Sequence, residues 1–159
     1  MKITIQDVPS VYSNRTQRLS KSSIDLATAP YAILVLRIAL GSLFLAHGCL
    51  KVFTFTLPGT AQFFESVGLP GWMATPVAIW ELVGGLLLVG GVHTRWVALG
   101  LFPILLVATF KVHGANGWLF TNQGGGWEFT VFLAIATVVQ FLLGDGAYAI
   151  GSIWDRKRA

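Results

Sequence analysis

The residues best able to do chemistry in this chain are ionisable ones placed where such residues are rare. Glu81 stands in the middle of the apolar run Trp72 to Val92, which is long enough to cross a bilayer. A carboxylate there must be paired or kept protonated. Arg37, His47, Lys51, Lys111, His113 and Glu128 stand within or at the edges of other apolar runs. With a rise of about 1.5 Å per residue, Arg37 lies ~10 Å from the start of its run and Glu81 ~16 Å from the end of its own. A guanidinium can close that gap, so an Arg37–Glu81 contact is expected, either as a catalytic pair or as one that fixes helix packing. At the other end, His47 and Lys51 are four residues apart and share one side of a helix. Lys111 and His113 close another run at that level, and Glu128 opens the last. Two imidazoles, two ammoniums and one carboxylate are thus expected around one outer mouth.

Such a mouth can bind an anion or hydrogen-bond the carbonyl oxygens of a quinone, while a buried carboxylate relays a proton. Glu81, Arg37 and His47 are therefore the candidate catalytic groups. Lys51, His113, Glu128 and Lys111 are the candidates for the head-group site, although lysines at helix ends also snorkel to lipid headgroups. No metal is expected. His47, His113 and Glu128 are acceptable ligands, but none is paired at the short helical spacing of metal motifs, and the lysines would repel a cation. Cys49 is the single cysteine, which excludes an internal disulfide and reads first as a small packing residue. There is no phosphate-binding loop, dinucleotide fingerprint or nucleophile elbow, and Gly124-Gly125-Gly126 reads as a tight turn.

The elements that must position these groups follow from composition. Of 159 residues, 54% are hydrophobic and 11% charged, against about 25% charged in soluble domains. The expected fold is all-α, a four-helix transmembrane bundle with N- and C-termini cytoplasmic. Its spans run from Pro30 to Cys49 with an extension toward Phe55, Trp72 to Val92, Trp96 to Lys111, and Trp127 to Tyr148. A polar, basic tail (residues 1–29) precedes the transmembrane domain (30–150), and a short basic tail (151–159) follows. Lys2, Arg15, Arg18 and Lys21 lie before the first span, Arg156, Lys157 and Arg158 after the last, and Arg95 in the inner turn. This segregation is the positive-inside pattern, and it sets topology instead of marking a nucleic-acid surface. The first 29 residues lack the apolar segment of a signal peptide, so the first span is expected to be an uncleaved anchor. Asn14-Arg15-Thr16 reads as a chance sequon.

The longer outer connections, Thr56 to Gly71 and His113 to Gly126, carry an amphipathic segment around Phe63, Phe64 and Val67 and the anchors Trp72, Trp118 and Trp127. Gly41, Gly48, Gly84, Gly85, Gly90 and Gly91 permit close helix packing, or a flat groove for a planar ligand. Trp80-Glu81 is echoed by Trp127-Glu128 and Ala39-Leu40-Gly41 by Ala98-Leu99-Gly100, at unequal offsets that only weakly indicate duplication.

Taken in order, the residues resemble the DoxX family of small four-helix membrane proteins. The matching elements are Leu36-Arg37-Ile38 with Gly41, His47-Gly48-Cys49-Leu50-Lys51, Phe63-Phe64 before Gly68-Leu69-Pro70, and Glu81-Leu82-Val83-Gly84-Gly85. Gly90 with Thr94-Arg95, His113-Gly114-Ala115-Asn116-Gly117-Trp118 and Gly125-Gly126-Trp127-Glu128 complete the set. The resemblance covers roughly residues 31–150. It implies four transmembrane helices in a bacterial-type inner membrane, in contact with membrane lipids, and a redox setting such as a subunit of a thiosulfate:quinone oxidoreductase. Arg37, His47, Lys51, Glu81, His113 and Glu128 fall on the family's polar positions, and Cys49 does not.

The leading expectation is a membrane redox module that binds a quinone-like carrier and acts with a partner oxidoreductase, since no haem, flavin or iron–sulfur motif is evident. A non-catalytic scaffold or assembly factor is the alternative, and a small proton-coupled transporter is a third. A homo-oligomer is left open.

Overall fold

Pro30, whose missing N–H is harmless in the first turn of a helix, opens α1 (Ala29–Cys49). The computed structural model describes residues 25–151. After α1 come a π-helical continuation (Leu50–Thr54), α2 (Leu57–Ser66), a 3-10 turn (Gly71–Met73) and α3 (Ala74–Gly90). Then follow α4 (Thr94–Val107), a second π-helical continuation (Ala108–His113), a 3-10 turn (Gly114–Asn116) and α5 (Glu128–Leu143). The described residues are all-helical, without a strand. The basic residues at positions 2–21 and 156–158 and the Asn14 sequon lie outside the described residues. Just ahead of α1, the Asp25 carboxylate accepts the Ala27 N–H at 2.9 Å. That bond, with the Thr28 hydroxyl beside it, holds its carboxyl below the usual range.

Three helical stretches, Ala29–Thr54, Gly71–Gly90 and Thr94–Asn116, are long and apolar enough to cross a membrane. The fourth, α5, is apolar but has 16 residues. It stops short of the expected Tyr148 because Gly144 takes a φ of 88°, a conformation glycine adopts freely. The chain then turns back, and the Ala147 N–H reaches the Pro30 carbonyl at 2.9 Å.

α1 packs along α3 and α4 along α5, while α3–α4 and α1–α5 contacts join the two pairs. The first pairing depends on glycine. A Cβ added to Gly41 or Gly85 would lie 2.8 Å from the other residue's carbonyl oxygen, and one on Gly48 would lie 2.8 Å from Leu82. These glycines therefore seat backbone on backbone and provide no flat ligand groove. Leu40 and Phe44 of α1, Leu88 of α3, Leu101 and Leu105 of α4 and Leu133 of α5 form the core. The outward faces are also apolar: Val35, Phe53, Leu86, Trp96, Phe110, Phe132 and Leu142 are all exposed. Helices that are hydrophobic all round suit a lipid surrounding.

Candidate functional site

The two π-helical continuations carry candidate polar residues. Such wider turns are rare and occur often at functional sites. Lys51 lies in the first and His113 in the second. Together with all five α-helices they line a cavity of about 790 Å³, whose wall is mostly aromatic and aliphatic. The polar side chains on that wall are His47, Lys51, Thr60, Glu81, His113 and Thr130.

Glu81 is paired, but with a partner different from the one the depth argument selects. The Lys51 ammonium donates to both its carboxylate oxygens, at 2.7 and 2.9 Å. The pair is shielded, with side-chain exposures of 17% for Lys51 and 4% for Glu81. The register of α1 on α3 explains the exchange. Gly41 faces Gly85 and Val89, and Gly48 faces Leu82, so Glu81 stands level with the end of α1. Arg37 is more than two turns away. Its guanidinium, 1% exposed, instead donates from Nη1 to the Asp145 carbonyl oxygen beyond α5. The expected Arg37–Glu81 contact is not formed.

Arg37 belongs to a second polar cluster at the opposite end. Asp145 Oδ1 accepts the Thr94 N–H at 3.0 Å and the Thr94 hydroxyl at 2.5 Å. Gln140, fully buried, donates to the Gly144 carbonyl at 2.6 Å. These contacts tie α1, the start of α4 and the end of α5. Sequence reasoning missed Asp145, Thr94 and Gln140 as members of this cluster. The available signal was an acidic residue in the Gly144–Gly146 break at the same level as Arg37.

The histidines are held by main-chain carbonyls. His47 Nδ1 lies 3.0 Å from the Leu43 oxygen and His113 Nδ1 lies 2.9 Å from the Gly125 oxygen. Around His113 the long loop is stitched by Asn116, whose side-chain amide donates to the carbonyls of Gly124 and Gly125 at 2.9 and 3.0 Å. Gly124 and Gly125 have φ of 82° and 73°, which is why glycines stand there.

Two expected members of the mouth lie elsewhere. Lys111 is exposed and is not on the cavity wall. Glu128, in the first turn of α5, accepts the Phe120 N–H at 2.7 Å. It lines an adjoining, open hollow of about 550 Å³ with Trp118, Phe120, Phe129 and Phe132, the cavity sharing Phe120 and Phe129 with it. Glu81 and Glu128 thus do different work despite the shared Trp-Glu. Trp127 packs edge-on to Trp118 at 4.5 Å. Cys49 is exposed and outside the cavity wall. Among the described residues, no His, Cys, Asp and Glu group could hold a metal ion.

The family model described as DoxX matches residues 32–114. "Inner membrane protein YqjF" of Escherichia coli (strain K12) is 33% identical over 134 residues, covering 79% of this chain and 93% of that one. "Putative oxidoreductase CatD" of Bacillus subtilis (strain 168) is 43% identical over 117 residues, covering 74% and 82%. No solved structure matches the chain. With its long apolar helices and matches on this scale, the chain is a membrane protein that belongs to the DoxX family.

Proposed function

We propose that this protein is a multi-pass module of a bacterial-type inner membrane whose cavity binds a quinone-like carrier on behalf of a partner oxidoreductase. The observation that carries this reading is the cavity itself. About 790 Å³ is within the range of ligand sites, and an apolar wall with a few placed polar groups is their usual character. The shielded Lys51–Glu81 pair supplies a fixed charge arrangement beside it, and His47 and His113 supply hydrogen-bonding nitrogens. Arg37 drops out of the catalytic set, and Lys111 and Glu128 drop out of the head-group site. α5 completes a four-helix transmembrane bundle, with both termini cytoplasmic by the distribution of Lys and Arg. The name of the Escherichia coli relative supports the membrane and that of the Bacillus subtilis relative supports the redox setting.

Purified protein titrated with a short-chain benzoquinone should gain thermal stability, and Glu81→Gln should reduce that gain. A carrier-independent melting profile, with no quinone in the extracted lipids, refutes the reading. Reporter fusions at each terminus and in the 113–127 loop test the topology, and a cytoplasmic loop reporter would overturn it.

The scaffold reading is favoured by one observation. Glu128 and the Arg37 cluster use their polar groups to hold loops and helix ends, as a non-catalytic assembly factor would require. Partner binding that survives filling the cavity, for example with Val77→Phe, would support it.

A further inference from the structure

The polar wall of the cavity is almost entirely one of acceptors, because its hydrogens are already committed to the main chain. A carbonyl oxygen can only accept, so Nδ1 of His47, bonded to Leu43, and Nδ1 of His113, bonded to Gly125, each carry a hydrogen. In its neutral form each ring then presents a lone pair at Nε2. Thr60 donates its hydroxyl hydrogen to the Lys51 carbonyl at 3.2 Å, and Thr130 donates its own to the Trp127 carbonyl at 3.1 Å. Both hydroxyls keep only lone pairs. Glu81 has lone pairs beyond the two bonds from Lys51.

The irregular main chain on the wall offers no donor either. The N–H groups of Phe55, Leu69 and Gly126 bond to the carbonyls of Leu50, Phe64 and Leu119. Those of Gly59 and Phe120 bond to the Thr56 hydroxyl and the Glu128 carboxylate. What remains is one N–H of Lys51, on an ammonium whose charge Glu81 balances.

We infer that the cavity selects a ligand that brings its own hydrogen-bond donors. Resting on the carrier-binding reading above, this ligand is the dihydroxy, hydroquinone form, and the dicarbonyl quinone is disfavoured. A hydroquinone can give its two O–H groups to the lone pairs of His47, His113, Thr60 or Thr130. A quinone would place carbonyl lone pairs against them and leave both sides unsatisfied.

The test is calorimetric titration of the full chain in nanodiscs without oxygen, with three probes: decylubiquinol, decylubiquinone, and the dimethyl ether of the former, which keeps the shape without the donors. The hydroquinone should bind at least about tenfold more tightly than either of the others, the equivalent of one hydrogen bond. His113→Phe and His47→Phe should narrow that ratio. Because His113 also holds the loop, His47→Phe is the variant that stands if the other fails to fold. Equal or tighter binding of the quinone or the ether overturns the acceptor assignment while leaving the carrier site intact. No binding of any probe overturns both.

Discussion

Removing Lys51 should cost more than removing Glu81, and removing both should cost little. At 2.7 Å and an effective dielectric near 20, the Coulomb attraction of the pair is roughly 6 kcal/mol, most of it offset by the desolvation of two ions. In Lys51→Met the carboxylate of Glu81, only 4% exposed, loses its counter-ion in an apolar wall. A loss of about 3–5 kcal/mol is expected. In Glu81→Leu the orphan is Lys51, which is 17% exposed and has a flexible stem that can carry the ammonium toward the headgroups. About 1–2 kcal/mol follows from that relief. The double variant should return to within about 1 kcal/mol of the parent, since an apolar pair of similar volume avoids both desolvation terms. Unfolding in mixed micelles, followed by tryptophan fluorescence, gives the three free energies and their coupling. Additive losses, or equal costs for the two single variants, would refute the claim that the two charges form one shielded pair of unequal burial.

Gly41→Ala should destabilise by about 1–3 kcal/mol, because its Cβ would press on the Gly85 carbonyl at 2.8 Å. Gly90→Ala, whose Cβ would meet Ile150 at 3.4 Å, should be close to neutral in the same unfolding assay. Arg37→Leu should loosen the far end of the helices by removing the donor to Asp145, seen as faster amide exchange at Thr94, whose N–H bonds to Asp145; unchanged exchange there would count against the cluster. Glu128→Ala should raise exchange at the Phe120 amide, which loses its 2.7 Å acceptor, and leave Lys51–Glu81 undisturbed. A lipid-permeant maleimide should label Cys49, which is exposed, at a rate that a cavity ligand does not alter.

How much of the site was legible is clearest at Glu81 and Arg37. A carboxylate in a long apolar run announces a buried partner from sequence alone, because no other outcome is compatible with its solvation. Which partner it takes depends on helix register, and α1 meets α3 through glycines that carry no directional signal in a single sequence. Depth counted from the two span ends therefore matched Arg37 to Glu81, whereas it donates to a main-chain carbonyl beyond α5. His47, Lys51 and His113 were legible as a group because helix ends at one level must lie near one another. Lys111 and Glu128 satisfied the same criterion, yet local geometry turns them elsewhere: one to the exterior, the other to a loop amide.

Composition and hydropathy by themselves determined an all-helical membrane chain, and the ordered polar and glycine elements pointed to its family, since both depend on local residue type and order along the chain. Only the tertiary structure decided that Glu81 belongs to Lys51, that the Asp145 carbonyl receives Arg37, and that main-chain carbonyls hold the two imidazoles. Those outcomes rest on distances of a few ångströms between residues far apart in sequence, which packing sets and spacing does not.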